Sequence, residues 1–169
     1  MQLFAGLLIL ASAVGGLDVA YFHIYRFRLA SRAPSRAETV AHLAQGATFM
    51  LIIAAALVAP ASRGLILTLC AAHFASMGAD VMLEKASRAD LGGVPTTEYL
   101  LHVAGATATG GAAAAYFAGG PSELPDWQRV LLVAAIVAGT LTSALETVLL
   151  SRGRVDSEPG KGLTRGARA

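Results

Sequence analysis

Five apolar runs, each long enough to cross a bilayer, constrain this chain more than any other feature. A spanning helix needs about 20 predominantly apolar residues. The segments Leu3–Tyr25, Ala37–Ala59, Gly64–Glu84, Glu98–Ala118 and Val130–Leu150 qualify. The breaks between them carry turn chemistry: Arg32-Ala-Pro-Ser35, Pro60-Ala-Ser-Arg63, Asp90-Leu-Gly-Gly-Val-Pro95, and Gly119-Gly-Pro-Ser122 with Pro125. Only 14% of the 169 residues are charged and 55% are hydrophobic. A soluble domain carries about a quarter charged residues. Abundant Gly and Ala suit closely packed membrane helices. The expected fold is therefore all-α, an integral membrane bundle of five transmembrane helices over residues 1–151. A disordered basic tail is expected over 152–169.

The first run passes Ala11-Ser-Ala13, which resembles a signal-peptidase site. No Lys or Arg precedes the run and it continues beyond that site, so an uncleaved first span is expected. Lys and Arg set the orientation. Arg26, Arg28, Arg32, Arg36, Lys85, Arg88 and the basic tail fall on one side, against Arg63 and Arg129 on the other. The basic side is expected to be cytoplasmic and the N-terminus outside, in a bacterial inner membrane. No basic stripe interleaved with aromatics is present, so nucleic acid is not an expected partner.

The chain reads as internally duplicated. Gly16-Leu-Asp-Val19 matches Gly78-Ala-Asp-Val81, and Glu38-x-x-x-His42-x-Ala matches Glu98-x-x-x-His102-x-Ala at nearly the same offset. Each half holds two helices, which gives a parallel two-helix repeat. Leu145-Glu146 in the fifth run resembles Leu83-Glu84 in the third.

In an up-and-down bundle the ionisable residues fall at one level. Asp18 and His23 end the first helix, Glu38 and His42 start the second, Asp80 and Glu84 end the third, Glu98 and His102 start the fourth, and Glu146 lies near the end of the fifth. Residues four apart differ by ~40° around a helix, so each Glu-x-x-x-His pair shares a face, as do Asp80 and Glu84. Gln45 extends the Glu38/His42 stripe, and His73 lies ~10 Å deeper than Asp80. Asp18 and His23 are ~140° apart on a regular helix. His23 is therefore the expected inward residue, with Asp18 behind it.

Imidazole nitrogens with carboxylate oxygens suit iron or manganese. The expected ligands are His23, Glu38, His42, Asp80, Glu84, Glu98 and His102, enough for two ions, with Asp18, His73 and Glu146 as additional candidates. The set is similar to di-iron carboxylate bundles, which combine inward Glu with Glu-x-x-His pairs; here the spacing is one residue longer. Haem b would take His42 and His102, or His73, as axial ligands, and would leave the neighbouring acids unexplained. The lone Cys70, one turn before His73, reads as a small buried residue.

The run Gly16…Asp18…His23, Glu38…His42, Asp80…Glu84, Gly92-Gly93…Glu98…His102 resembles a group of uncharacterised bacterial multi-spanning membrane proteins with paired Glu-x-x-x-His motifs, over about residues 15–117. The resemblance adds weight to the site and implies no activity. Simpler roles exist for single residues. Ser35-x-x-Glu38 is a capping box, Glu98 complements a helix dipole, and Lys85 and Arg88 read as snorkelling or positive-inside residues.

The intramembrane level of these groups favours function. The expected function is a non-haem di-metal oxidoreductase acting on quinol or another membrane-soluble substrate. The alternatives are a divalent-metal transporter or sensor, or a non-catalytic subunit that packs against a membrane partner through Gly105-x-x-x-Thr109 and Gly111-x-x-x-Ala115. Neither a phosphate-cradling loop nor a hydrolase triad is present.

Overall fold

The computed structural model describes residues 2–58, 63–119 and 123–155. Each apolar run is a helix. α1 (Gln2–Asp18) continues into a π-helical segment, Val19–Arg26. Two short 3-10 turns, Leu29–Ser31 and Ala33–Ser35, lead into α2 (Arg36–Leu57). α3 (Arg63–Ser87) is followed by the 3-10 turn Ala89–Leu91, then by α4 (Thr96–Gly119) and α5 (Asp126–Val155). The architecture is all-helical. Four helical stretches are long and apolar enough to cross a membrane: Gln2–Arg26, Ala33–Leu57, Arg63–Ser87 and Asp126–Arg152. α4 matches them in length, ~36 Å at 1.5 Å per residue, but is rich in Ala, Gly and Thr. Most of the expected tail, from residue 156 on, lies outside the described residues, as do the breaks at 59–62 and 120–122.

The helices pack in the order α3–α2–α5–α1–α4. α2 lies along α3 and α1 along α4, while α5 touches both α1 and α2. The ends of this series, α3 and α4, barely touch. One end of the bundle holds an apolar core that includes Phe4, Leu8, Ile52, Ile66, Tyr116 and Leu132. The first helix is thus integral to the packing. Large apolar side chains such as Leu3, Leu10, Leu51, Leu67, Val130 and Leu141 face outward and are exposed. The buried polar residues gather at the other end: Asp18, His23, Glu38, Asp80, Glu84, Arg88, Glu98 and Glu146. Apolar outside with charge inside is the pattern of a bundle solvated by lipid.

The small residues of α4 serve this packing. A Cβ on Gly111 would come within 3.3 Å of Leu7 Cδ1, and one on Gly105 within 3.8 Å of Val14 Cγ1. Both neighbours are on α1, so this face of α4 is used inside the bundle. Between α3 and α4 the chain reverses through Gly92 and Gly93, at φ 86° and 93°. Such angles favour glycine. The Gly93 amide donates to Arg88 O (3.1 Å), which draws the residue after α3 beneath the helix end.

Candidate metal centre

His23 lies at the centre of the polar end and is 1% exposed. It owes its position to the π-helical segment. There the backbone bonds run from residue i+5 to i, as at the end of the segment, where the Phe27 amide donates to Phe22 O at 3.0 Å. That winding brings residues five apart nearly into line, and it corrects the expectation for Asp18. The two side chains do not diverge: His23 Nε2 lies 3.7 Å from Asp18 Oδ2. A π-helical turn is rare, and it is found frequently at functional sites.

The surroundings of His23 divide by ring nitrogen. On the Nε2 side are Asp18 and Glu98, the latter with Oε1 at 3.9 Å. His102 Nε2 is 3.0 Å from the same Asp18 Oδ2. On the Nδ1 side is Glu146 Oε1 at 3.7 Å. The His42 ring packs against the His23 ring, with centroids 4.3 Å apart. Two groups have ligand atoms all within 4.8 Å of one another: Asp18, His23 and His102, and His23, His42 and Glu146. Donor atoms bound ~2.1 Å from one ion lie ~3.0–3.4 Å apart. The 3.0 Å and 3.7 Å separations here are close to that.

Asp80 and Glu84, expected as ligands, stand behind the histidines. Glu84 Oε1 is 2.8 Å from His102 Nδ1, and Asp80 Oδ2 is 3.5 Å from His42 Nδ1. A carboxylate against the far nitrogen of a metal-binding imidazole fixes its orientation and raises its basicity. The donor set fits a transition ion by a second observation. Both His23 nitrogens, His42 Nδ1, Asp18 Oδ1, Asp80 Oδ1 and Glu146 Oε1 are buried without a hydrogen-bond partner. Native interiors leave few such atoms, and an ion is one of the standard reasons for them.

Glu38 and Glu98, also expected as ligands, meet Arg88, a residue that reads from the sequence as snorkelling or positive-inside. Arg88 is 0% exposed. Its Nη2 donates to Glu98 Oε1 and lies 2.9 Å from Glu38 Oε1. Its guanidinium also sits over the Phe27 ring, 5.3 Å from the centroid. The two Glu-x-x-x-His glutamates are thus joined by one buried cation. Ser35 stands at the N-cap of α2 with no side-chain cap bond, so the capping box does not form. Arg88 had one signal in the sequence: two intramembrane glutamates need a counter-charge, and Arg88 lies between them in the chain.

His73 stands apart from both ligand groups. Its Nδ1 pairs with Gln45 O at 3.2 Å, and its ring packs on Phe49 and Phe74. Cys70 belongs to the apolar core. Between this level and the polar end is a chamber of about 550 Å³, walled by all five helices. Asp18, His42, Asp80, Glu84, His102 and Glu146 line its polar end, and apolar residues such as Phe49, Ile53, Phe74 and Met77 line the rest. Val81 on α3 and Tyr99 on α4 line the chamber and are also 53% and 59% exposed at the surface. Both residues stand on the helices that barely touch, α3 and α4. No family model, curated protein or solved structure matches the chain.

Proposed function

We propose that the chain is an integral membrane metalloprotein that holds two transition-metal ions, iron or manganese, beside His23. It acts as an oxidoreductase on a membrane-soluble substrate of the quinol class. The observation that carries this reading is a buried imidazole, unpartnered at both nitrogens, between two groups of imidazole and carboxylate ligands. Nitrogen and oxygen donors without thiolate favour these metals over copper(I).

The sparse contact between α3 and α4, read as a lateral opening of the chamber, supports the substrate class. A lipid-soluble molecule enters there without crossing water, with its polar end towards His102 and its apolar body along Phe74 and Met77. In this reading α4 is the fifth span, and the polar end faces the cytoplasm of a bacterial cell, where the basic loops lie. The pairings support an internal repeat. Asp18 of α1 meets His102 of α4, and Asp80 of α3 meets His42 of α2. Exchange of the matched halves turns one pair into the other.

The test is metal analysis of protein purified in mild detergent without chelator. The expected result is two iron or manganese ions per chain, with a non-haem absorption spectrum. Protein that retains no transition metal under these conditions, and takes none up on reconstitution, sinks the reading.

A divalent-metal transporter is the second reading, favoured by His73 in the chamber wall. Against it, His73 is already paired, and the one Asp, Glu or His that α1 to α5 carry beyond its level among the described residues is Asp126, the first residue of α5. Liposome uptake of iron or manganese that is abolished by His73→Ala decides for transport.

A further inference from the structure

We propose that His23 is a shared ligand, bonded to one metal ion through Nε2 and to a second through Nδ1. This rests on the two-ion reading above and adds the arrangement of the pair. Both candidate groups contain His23, and they lie at opposite nitrogens of its ring. One group takes Asp18 and His102, the other His42 and Glu146. The side chain is 1% exposed and neither nitrogen has a partner within the protein. A neutral imidazole with one ligand role keeps an N–H on its other nitrogen, and inside a protein that N–H is normally given to a carboxylate or carbonyl. His102 has such a carboxylate in Glu84, 2.8 Å from Nδ1, and the nearest one to His42 Nδ1 is Asp80 at 3.5 Å, the outer limit of a hydrogen bond. His23 has none within bonding distance: Asp18, Glu98 and Glu146 all stand 3.7–3.9 Å away. That is too far for a hydrogen bond and a few tenths of an ångström beyond the spacing of two ligands on a common ion, a gap that small side-chain shifts close on binding.

The balance is simple. The first ion binds the nitrogen that carries the lone pair. The second displaces the remaining N–H proton, which is released to water, and the ring becomes an imidazolate bonded at both ends. Ions ~2.1 Å out along each lone pair sit ~6 Å apart. Carboxylate- or oxygen-bridged pairs sit ~3.5–4 Å apart. The two arrangements are therefore distinguishable by experiment.

The measurement loads metal-free full-length protein in detergent with copper(II) as the probe and records its electron paramagnetic resonance during titration. The expected result is two ions per chain and, at two equivalents, a spin-coupled triplet spectrum whose dipolar splitting corresponds to ~6 Å. In His42→Ala one ion remains and the coupling vanishes. In His23→Ala both ions weaken, each by more than about tenfold, since each loses a ligand. Two ions without coupling, or a pair closer than ~4 Å, overturn the bridge while leaving the metal reading intact. So does retention of both affinities in His23→Ala. Failure of wild-type protein to bind copper, iron or manganese overturns both. The wild-type spectrum decides even if a variant fails to fold.

Discussion

Arg88 donates a charge-assisted hydrogen bond to Glu98 with both side chains closed off from solvent. Glu38 completes the set from the opposite helix pair. This buried triad ties α2, α4 and the end of α3 together beneath the candidate metal site.

Removal of the cation strands two buried carboxylates. Breaking a buried ion pair on one side costs about 3–5 kcal/mol, so Arg88→Met should lower the detergent melting temperature steeply. The triple variant Arg88→Met/Glu38→Gln/Glu98→Gln, which carries no stranded charge, should recover much of the loss. Arg88→Lys should fall between, because an ammonium keeps the charge but loses the stacking of the planar guanidinium on Phe27. Arg88→Met melting like wild type would show that the triad does not hold this end.

Arg32 and Asp90 form the contrasting case, an exposed pair between two loops, 2.5 Å apart. The hydrogen bond from Arg32 holds the Asp90 carboxyl below its usual range. Stability from a depressed carboxyl is present above its unfolded value, ~3.9, and is lost as pH falls through the lower folded value. Melting temperatures at pH 7 and pH 5 should therefore show no change from this pair. Asp90→Asn should leave the pH 7 melting temperature unaltered, as is usual for exposed pairs. A large drop would mean that the loops are coupled more tightly than their exposure implies.

Glu84 orients His102 through Nδ1. Glu84→Ala should weaken metal binding by about 10–100-fold, the usual effect of losing such a partner, with Glu84→Gln closer to wild type. Competition with a chromophoric chelator reads this directly. His73→Phe, which alters the chamber but neither ligand group, should leave metal affinity unchanged; a large loss there would move the site deeper.

Gly78 lines the chamber, and a Cβ added to it would meet nothing within 4 Å. Gly78→Ala should be tolerated and, in a helix, is worth up to ~1 kcal/mol of added stability. Gly78→Leu should keep the bound metal but weaken a lipid-soluble quinol analogue by about tenfold, or ~1.4 kcal/mol. Titration of analogue fluorescence in detergent would show it. Unchanged binding would place the substrate elsewhere.

The sequence by itself determined the helices and the depth of the polar groups. A run of about 20 apolar residues spans lipid as a helix, and the rise per residue fixes how far Asp18, His42, Asp80, His102 and Glu146 lie along their axes. It could not determine which groups meet across helices. Asp18 and His23 face the same way because a π-helical segment begins between them, which no spacing rule anticipates. Glu38 and Glu98 turn to Arg88, and Asp80 and Glu84 stand behind His42 and His102, because of which helices are neighbours. Depth is a local property of one helix, set by counting residues. Facing and partnership depend on local winding and on the packing order α3–α2–α5–α1–α4, and only the tertiary structure decided those.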